Sequence, residues 1–201
     1  MNCKKQTRKI VAVALLILGT AVFASASNLV QNGSFETGDF TGWTVTGDTS
    51  LIGVCMTSTC PGNFPPQDGI YAAFFGPVGD TATISQNLTT QIGQQYTLSF
   101  YLADPVGGTP NYFDVKFGSS EFSITNFGVP FGWQKFELTM TATSNSSLLS
   151  FTFRNDPAYW FLDNVVVQGG GQGTTPEPGT LALFGTGAIG LAGFARRKFG
   201  K

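Results

Sequence analysis

Tyr96-Thr97-Leu98-Ser99-Phe100-Tyr101-Leu102-Ala103 is the stretch on which the fold turns. Successive side chains of an extended strand point to opposite faces, so Tyr96, Leu98, Phe100 and Leu102 share one side and Thr97, Ser99 and Tyr101 the other. A helix would instead gather its apolar residues three and four apart. The same period of two recurs on either side. Residues 112–117 turn Phe113, Val115 and Phe117 inward and Tyr112, Asp114 and Lys116 outward. Residues 133–142 bury Phe136, Leu138 and Met140, and residues 148–154 bury Leu149, Phe151 and Phe153. Shorter strands are expected at 43–46, 50–54, 71–75, 83–88, 120–124 and 161–167. About nine to eleven strands in one stretch without an internal repeat predict an all-β domain, a two-sheet antiparallel sandwich of the jelly-roll kind.

Composition agrees and removes whole classes of activity. Only 11% of the 201 residues are charged, and there is no histidine. Ser-His-Asp and Cys-His nucleophiles and His-ligated zinc are therefore excluded. Eight of the eleven basic residues lie at the two ends, so residues 27–175 hold three bases against eleven acids, a net of −8. Such a surface has nothing with which to neutralise phosphates, and no nucleic-acid partner is expected.

The ends read as addresses. Residues 1–26 join a basic start (Lys4, Lys5, Arg8, Lys9) to an apolar run over 10–23 and to Ala24-Ser25-Ala26. This is the pattern of a cleaved secretory signal peptide, too short in its apolar part for the ~20 residues a membrane span requires. At the other end a Gly-rich linker, 169–175, leads to Pro176-Glu177-Pro178, an apolar segment over 180–195, and the cluster Arg196-Arg197-Lys198. A membrane-inserted segment with its basic cluster on the cytoplasmic side leaves the bulk of the chain outside.

The tail over 176–201 resembles the PEP-CTERM sorting signal of exopolysaccharide-producing Gram-negative bacteria. The resemblance implies processing by the membrane transpeptidase exosortase, with Pro176, Glu177 and Pro178 as recognition residues and Arg196, Arg197 and Lys198 as the membrane-stop cluster. It implies transient anchoring in the inner membrane and a final place at the cell envelope or in the extracellular polysaccharide matrix.

A second resemblance covers the domain assigned to 27–168. The opening Asn28-Leu29-Val30-Gln31-Asn32-Gly33-Ser34-Phe35-Glu36 with Gly42-Trp43, and the closing Tyr159-Trp160-Phe161-Leu162-Asp163-Asn164-Val165, resemble carbohydrate-binding modules of the galactose-binding-like type. By that resemblance Glu36 and Asp163, with Asp68 as a third candidate, would hold a structural calcium ion. Calcium takes six to eight oxygens, and carboxylates from the first and last segments could clamp distant parts of the chain.

Three further expectations come from the residues themselves. Cys55 and Cys60 should pair in an exported chain, because Cys3 leaves with the signal peptide. Sugar recognition needs aromatic faces beside hydrogen-bonding groups, which the outward residues Tyr101, Tyr112, Asp114 and Lys116 supply, with Arg154 as a neighbour. Trp43, Trp133 and Trp160 are assigned to the core. The acids show no spacing that pairs two across a cleft as a glycoside hydrolase requires, so the chain is read as a non-catalytic secreted protein that binds glycan. The alternative is a structural matrix protein without a small ligand. Thr139, Thr141 and Thr143 alternate as an ice-binding array would, but three threonines on a strand are ordinary strand formers.

Overall fold

The computed structural model describes residues 27–169. The signal peptide, residues 170–175 of the linker, the Pro176-Glu177-Pro178 motif, the apolar segment and the Arg196-Arg197-Lys198 cluster lie outside the described residues. Ten strands form two five-stranded sheets, and every neighbouring pair is antiparallel. In chain order they are β1 (Thr44–Gly47), β2 (Ile52–Cys55), β3 (Ala72–Phe75), β4 (Ala82–Thr89), β5 (Gln95–Asp104), β6 (Asn111–Phe117), β7 (Ser120–Thr125), β8 (Phe131–Thr141), β9 (Ser146–Asn155) and β10 (Trp160–Gly169). Sheet A runs β1-β4-β9-β6-β7 and sheet B runs β2-β3-β10-β5-β8. Gly169, assigned from sequence to the linker, is the last residue of β10.

Alternation decides what fills the space between the sheets. Leu98, Phe100 and Leu102 of β5 meet Phe113, Val115 and Phe117 of β6 and Leu149, Phe151 and Phe153 of β9, all with no exposed surface. Phenylalanine does most of the filling. Phe75 of sheet B stacks on Phe153 of sheet A with centroids 3.9 Å apart, and Phe113 lies 5.9 Å from Trp160. Trp43 and Trp160 belong to this core as expected.

Trp133 does not. It lies on the outer side of sheet B, where the segment between β2 and β3 folds back over the sheet. Phe64 of that segment packs on Trp133 and Phe161, and the Trp133 indole N–H donates to the Pro65 carbonyl at 3.0 Å. Cys55 and Cys60 are joined in a disulfide at the start of this segment, both nearly buried in a small cluster with Ala103 and Phe161. A strand of period two cannot say whether its outer face meets water or a returning loop, so the sequence assigns Trp133 to a core without showing that it packs against this second, outer cluster.

Candidate functional site

The outer faces of the two sheets differ. In sheet A, residues opposite each other in register share a face; beside a row in which Asn87 meets the exposed Leu148, three rows cross it. Arg154, Tyr112 and Thr125 form one; Thr46, Thr83, Thr152, Asp114 and Ser123 the next; Thr44, Ser85, Ser150, Lys116 and Glu121 the third. Every member is polar, and Tyr112 is the one aromatic ring among these thirteen residues. Thr83 and Thr152 hydroxyls hydrogen-bond to each other at 2.9 Å. A cavity of about 430 Å³ opens beside the part of β4 that β1 does not cover, lined by the polar groups of Asn28, Gln31, Ser85, Asn87 and Thr89.

Four of the five residues assigned to glycan binding thus meet on one face. The fifth, Tyr101, is a correction: it lies on β5 of sheet B, between Asp163 and Lys135 in register, on the opposite side of the sandwich. Period two gives the orientation of a side chain relative to its own sheet, and says nothing of which sheet that is.

Asp114 points outward as expected, yet it is only 4% exposed. Lys116 covers it, with its ammonium 3.7 Å from Asp114 Oδ2 and 3.4 Å from Glu121 Oε1. The other oxygen, Asp114 Oδ1, is buried without a hydrogen-bond partner among the described residues. Burial pushes the Asp114 carboxyl above the usual carboxylate range; Lys116 opposes this and Glu121 adds to it. Arg154 is committed to Asp156, its guanidinium donating to both carboxylate oxygens at 3.2 and 2.7 Å.

The residues assigned to calcium also converge, on the outer side of sheet B. Glu36 Oε1 accepts the backbone N–H groups of Ile70 and Tyr71, each at 2.9 Å. Asp163 Oδ2 accepts those of Gln67 and Asp68 at 2.9 and 3.0 Å, and Oδ1 accepts that of Asn164 at 2.6 Å. Carboxylates from the first and last segments therefore grip one turn, residues 67–71, as hydrogen-bond acceptors. Asp68 joins through its backbone N–H. Gly69 is required here, since it has φ +61 and an added Cβ would stand 2.3 Å from Glu36 Oε1. Among the described residues no group of three or more His, Cys, Asp or Glu side chains gathers where an ion could be held.

Asp163 is fully buried, and burial pushes its carboxyl up to about 7 against the three N–H donors. A carboxyl raised on folding binds its extra proton in the folded chain between the unfolded and folded values, so stability falls as pH rises through that window. For Asp163 the window runs from 3.8 to about 7, and Asp104, also raised by burial, acts in the same sense. In chelator, the melting temperature should therefore fall by about 5 °C or more between pH 4.5 and 8. A melting temperature that rises across this range would contradict the assignment.

Sequence reasoning missed a third polar group, at the end of the sandwich. Asp104, Asn111 and Asn155 are buried together, and Asn111 ties the carbonyls of Gly108 and Phe127 to the Asp104 carboxylate. Only the turn residues Gly107 and Gly108 beside them hinted at it.

Comparison with known proteins places this geometry. The first of the similar solved structures is TmCBM61 in complex with beta-1,4-galactotriose, 19% identical with a TM-score of 0.59, covering 72% of this chain and 100% of its own. Family 16 Carbohydrate Binding Module-2 is 14% identical, with a TM-score of 0.50 and coverages of 70% and 99%. The enzymatically active domain of bacteriophage CBA120 tailspike protein 4 is 16% identical at a TM-score of 0.53, and the match spans 71% of this chain but 21% of that one. These likenesses establish the carbohydrate-binding-module-like jelly roll as the fold. No curated protein matches the chain. A PEP-CTERM protein-sorting motif matches residues 174–198, which implies export, sorting at the envelope and exosortase processing. With a family model matched over residues 28–168, the chain belongs to the family described as Protein of unknown function (DUF642).

Proposed function

We propose that the domain is a non-catalytic, exported protein that binds glycan on the outer face of sheet A and is retained at the cell envelope or in the extracellular polysaccharide matrix. The observation that carries this reading is the polar face itself. Three registered rows of hydroxyls and charges make up this face, with Tyr112 in the first of them, while the outer face of sheet B is partly covered by its own loop. The same sandwich holds a galactotriose in one of its structural neighbours, which supports the reading. Removing the ring should show it: Tyr112→Ala should weaken retention on immobilised polysaccharide about tenfold, since aromatic stacking and the contacts it positions contribute about 1–2 kcal/mol. Unchanged retention of that variant would move the site elsewhere, and turnover of any glycoside by wild type would overturn the non-catalytic reading.

Release from the inner membrane follows cleavage at the tail in this reading. Replacing Pro176, Glu177 and Pro178 by alanine should leave export intact and accumulate the uncut chain in the membrane fraction. Mature wild-type protein that still ends at Lys201 by mass spectrometry would contradict it.

Calcium remains a proposal on the chemistry of the donors. Glu36 and Asp163 offer hard carboxylate oxygens from the first and last segments of the domain, held on one turn. Bound calcium would supply the positive charge that a buried carboxylate needs. In the pH titration above, calcium at pH 8 should then raise the melting temperature more than equal magnesium does. Equal effects of the two ions, persisting in Asp163→Asn, would leave the clamp to hydrogen bonds alone.

A further inference from the structure

We propose that the outer face of sheet A takes an uncharged glycan and excludes polyuronates, with the buried Asp114 carboxylate as the acceptor that sets this specificity. The inference rests on the glycan reading above and names its substrate class. Buried polar atoms are almost always hydrogen-bonded, so an unpartnered carboxylate oxygen in the middle of an open face asks what supplies the missing donor. Its neighbours do not. Thr152 is engaged with Thr83, and the Lys116 ammonium stands 3.7 Å from the other oxygen, beyond a hydrogen bond. An ionised carboxylate only accepts, and sugar hydroxyls on adjacent carbons are donors spaced for its two oxygens.

Lys116 is the movable part. Its side chain is half exposed and its pair with Glu121 lies at the surface, where such a contact costs little to break, while the charge it leaves on the buried Asp114 is met by the hydroxyl donors of the ligand. Swung aside, it uncovers Asp114 and brings its own donors to the ligand. A uronate meets the opposite conditions. Its carboxylate brings no donor and faces two carboxylates, Asp114 and Glu121, against the single ammonium of Lys116, while Arg154 is already held by Asp156. The whole domain carries −8 over residues 27–175, so nothing beyond the face offsets that repulsion.

The test is native electrophoresis of the exported chain through gels containing β-1,4-galactan, xylan or polygalacturonate at pH 8 and low salt. Wild type should be retarded by at least one of the two neutral polymers and run unretarded in polygalacturonate. Asp114→Asn should lose that retardation by about tenfold or more in polymer concentration, as expected for a hydrogen bond to a charged group, while melting within a few degrees of wild type. Asp114→Ser provides a second variant should the amide fail to fold. Retardation by a neutral polymer that both variants keep, or equal retardation by polygalacturonate, would overturn the specificity and leave the glycan reading standing. No retardation of wild type by any of the three polymers would overturn both.

Discussion

Asp163→Ala should lower the stability of the domain by about 3 kcal/mol, or about 10 °C in melting temperature for a chain of this size. Three backbone N–H groups, those of Gln67, Asp68 and Asn164, lose their acceptor at once, and the side chain that held them has no exposed surface through which water could take its place. Relief of the buried charge works in the other direction, which keeps the loss below the sum of three orphaned donors. Asp163→Asn separates the two effects. Its amide oxygen can still receive the pair from Gln67 and Asp68, but its NH₂ opposes the Asn164 N–H, so a loss of about 1–2 kcal/mol is expected. Thermal melts of the three proteins decide it, and an alanine variant as stable as wild type would show that the turn at 67–71 is not held by this residue.

Gly33→Ala should be at least as damaging, with about 4 kcal/mol expected or no folded protein at all. An added Cβ would stand 2.0 Å from the Val165 carbonyl oxygen, an atom of the backbone with no freedom to rotate away. The Gly33 carbonyl accepts the Val165 N–H at 2.9 Å, so parting the two segments also breaks the bond that seats the opening of the chain on β10. Gly132→Ala is the control. Nothing lies within 4 Å of a Cβ there, and the change should stay within about 0.5 kcal/mol. Chemical denaturation of both variants against wild type gives the comparison directly.

All ten strands were legible in the sequence to within a few residues, because one-sided burial writes itself as alternation and most of the connections are short, the long one between β2 and β3 excepted. Phe113, Val115 and Phe117 could be assigned inward from spacing alone, and they are. What spacing could not convey was the third dimension of the outer faces. Tyr101 and Tyr112 look equivalent as outward tyrosines, yet they stand on different sheets, since sheet membership depends on pairings between strands far apart in the chain. Asp114 reads as a solvated carboxylate between Tyr112 and Lys116, yet it is buried, with the Lys116 ammonium between it and Glu121 on the neighbouring strand. Glu36 and Asp163 were brought together by resemblance to a family. Their shared use as acceptors for one turn depends on the backbone of residues 67–71, which no pattern of side chains encodes.

The placing of β10 has a consequence for the order of events during export. This last strand is not an edge; it lies between β3 and β5, and its predecessor β9 lies at the centre of sheet A between β4 and β6. A chain emerging from its N-terminus therefore carries eight strands that cannot complete either sheet, with β2-β3 and β5-β8 separated by an empty lane and β1-β4 parted from β6-β7 by another. The opening segment waits as well, because its Leu29 N–H and Gly33 carbonyl find their partners only on Val167 and Val165. Long-range pairing of this kind delays the closing of the structure until its final member arrives. The domain can lock only once residues up to 169 are free to pair, so a chain delivered N-terminus first closes both sheets last of all, when only the sorting tail is left to follow.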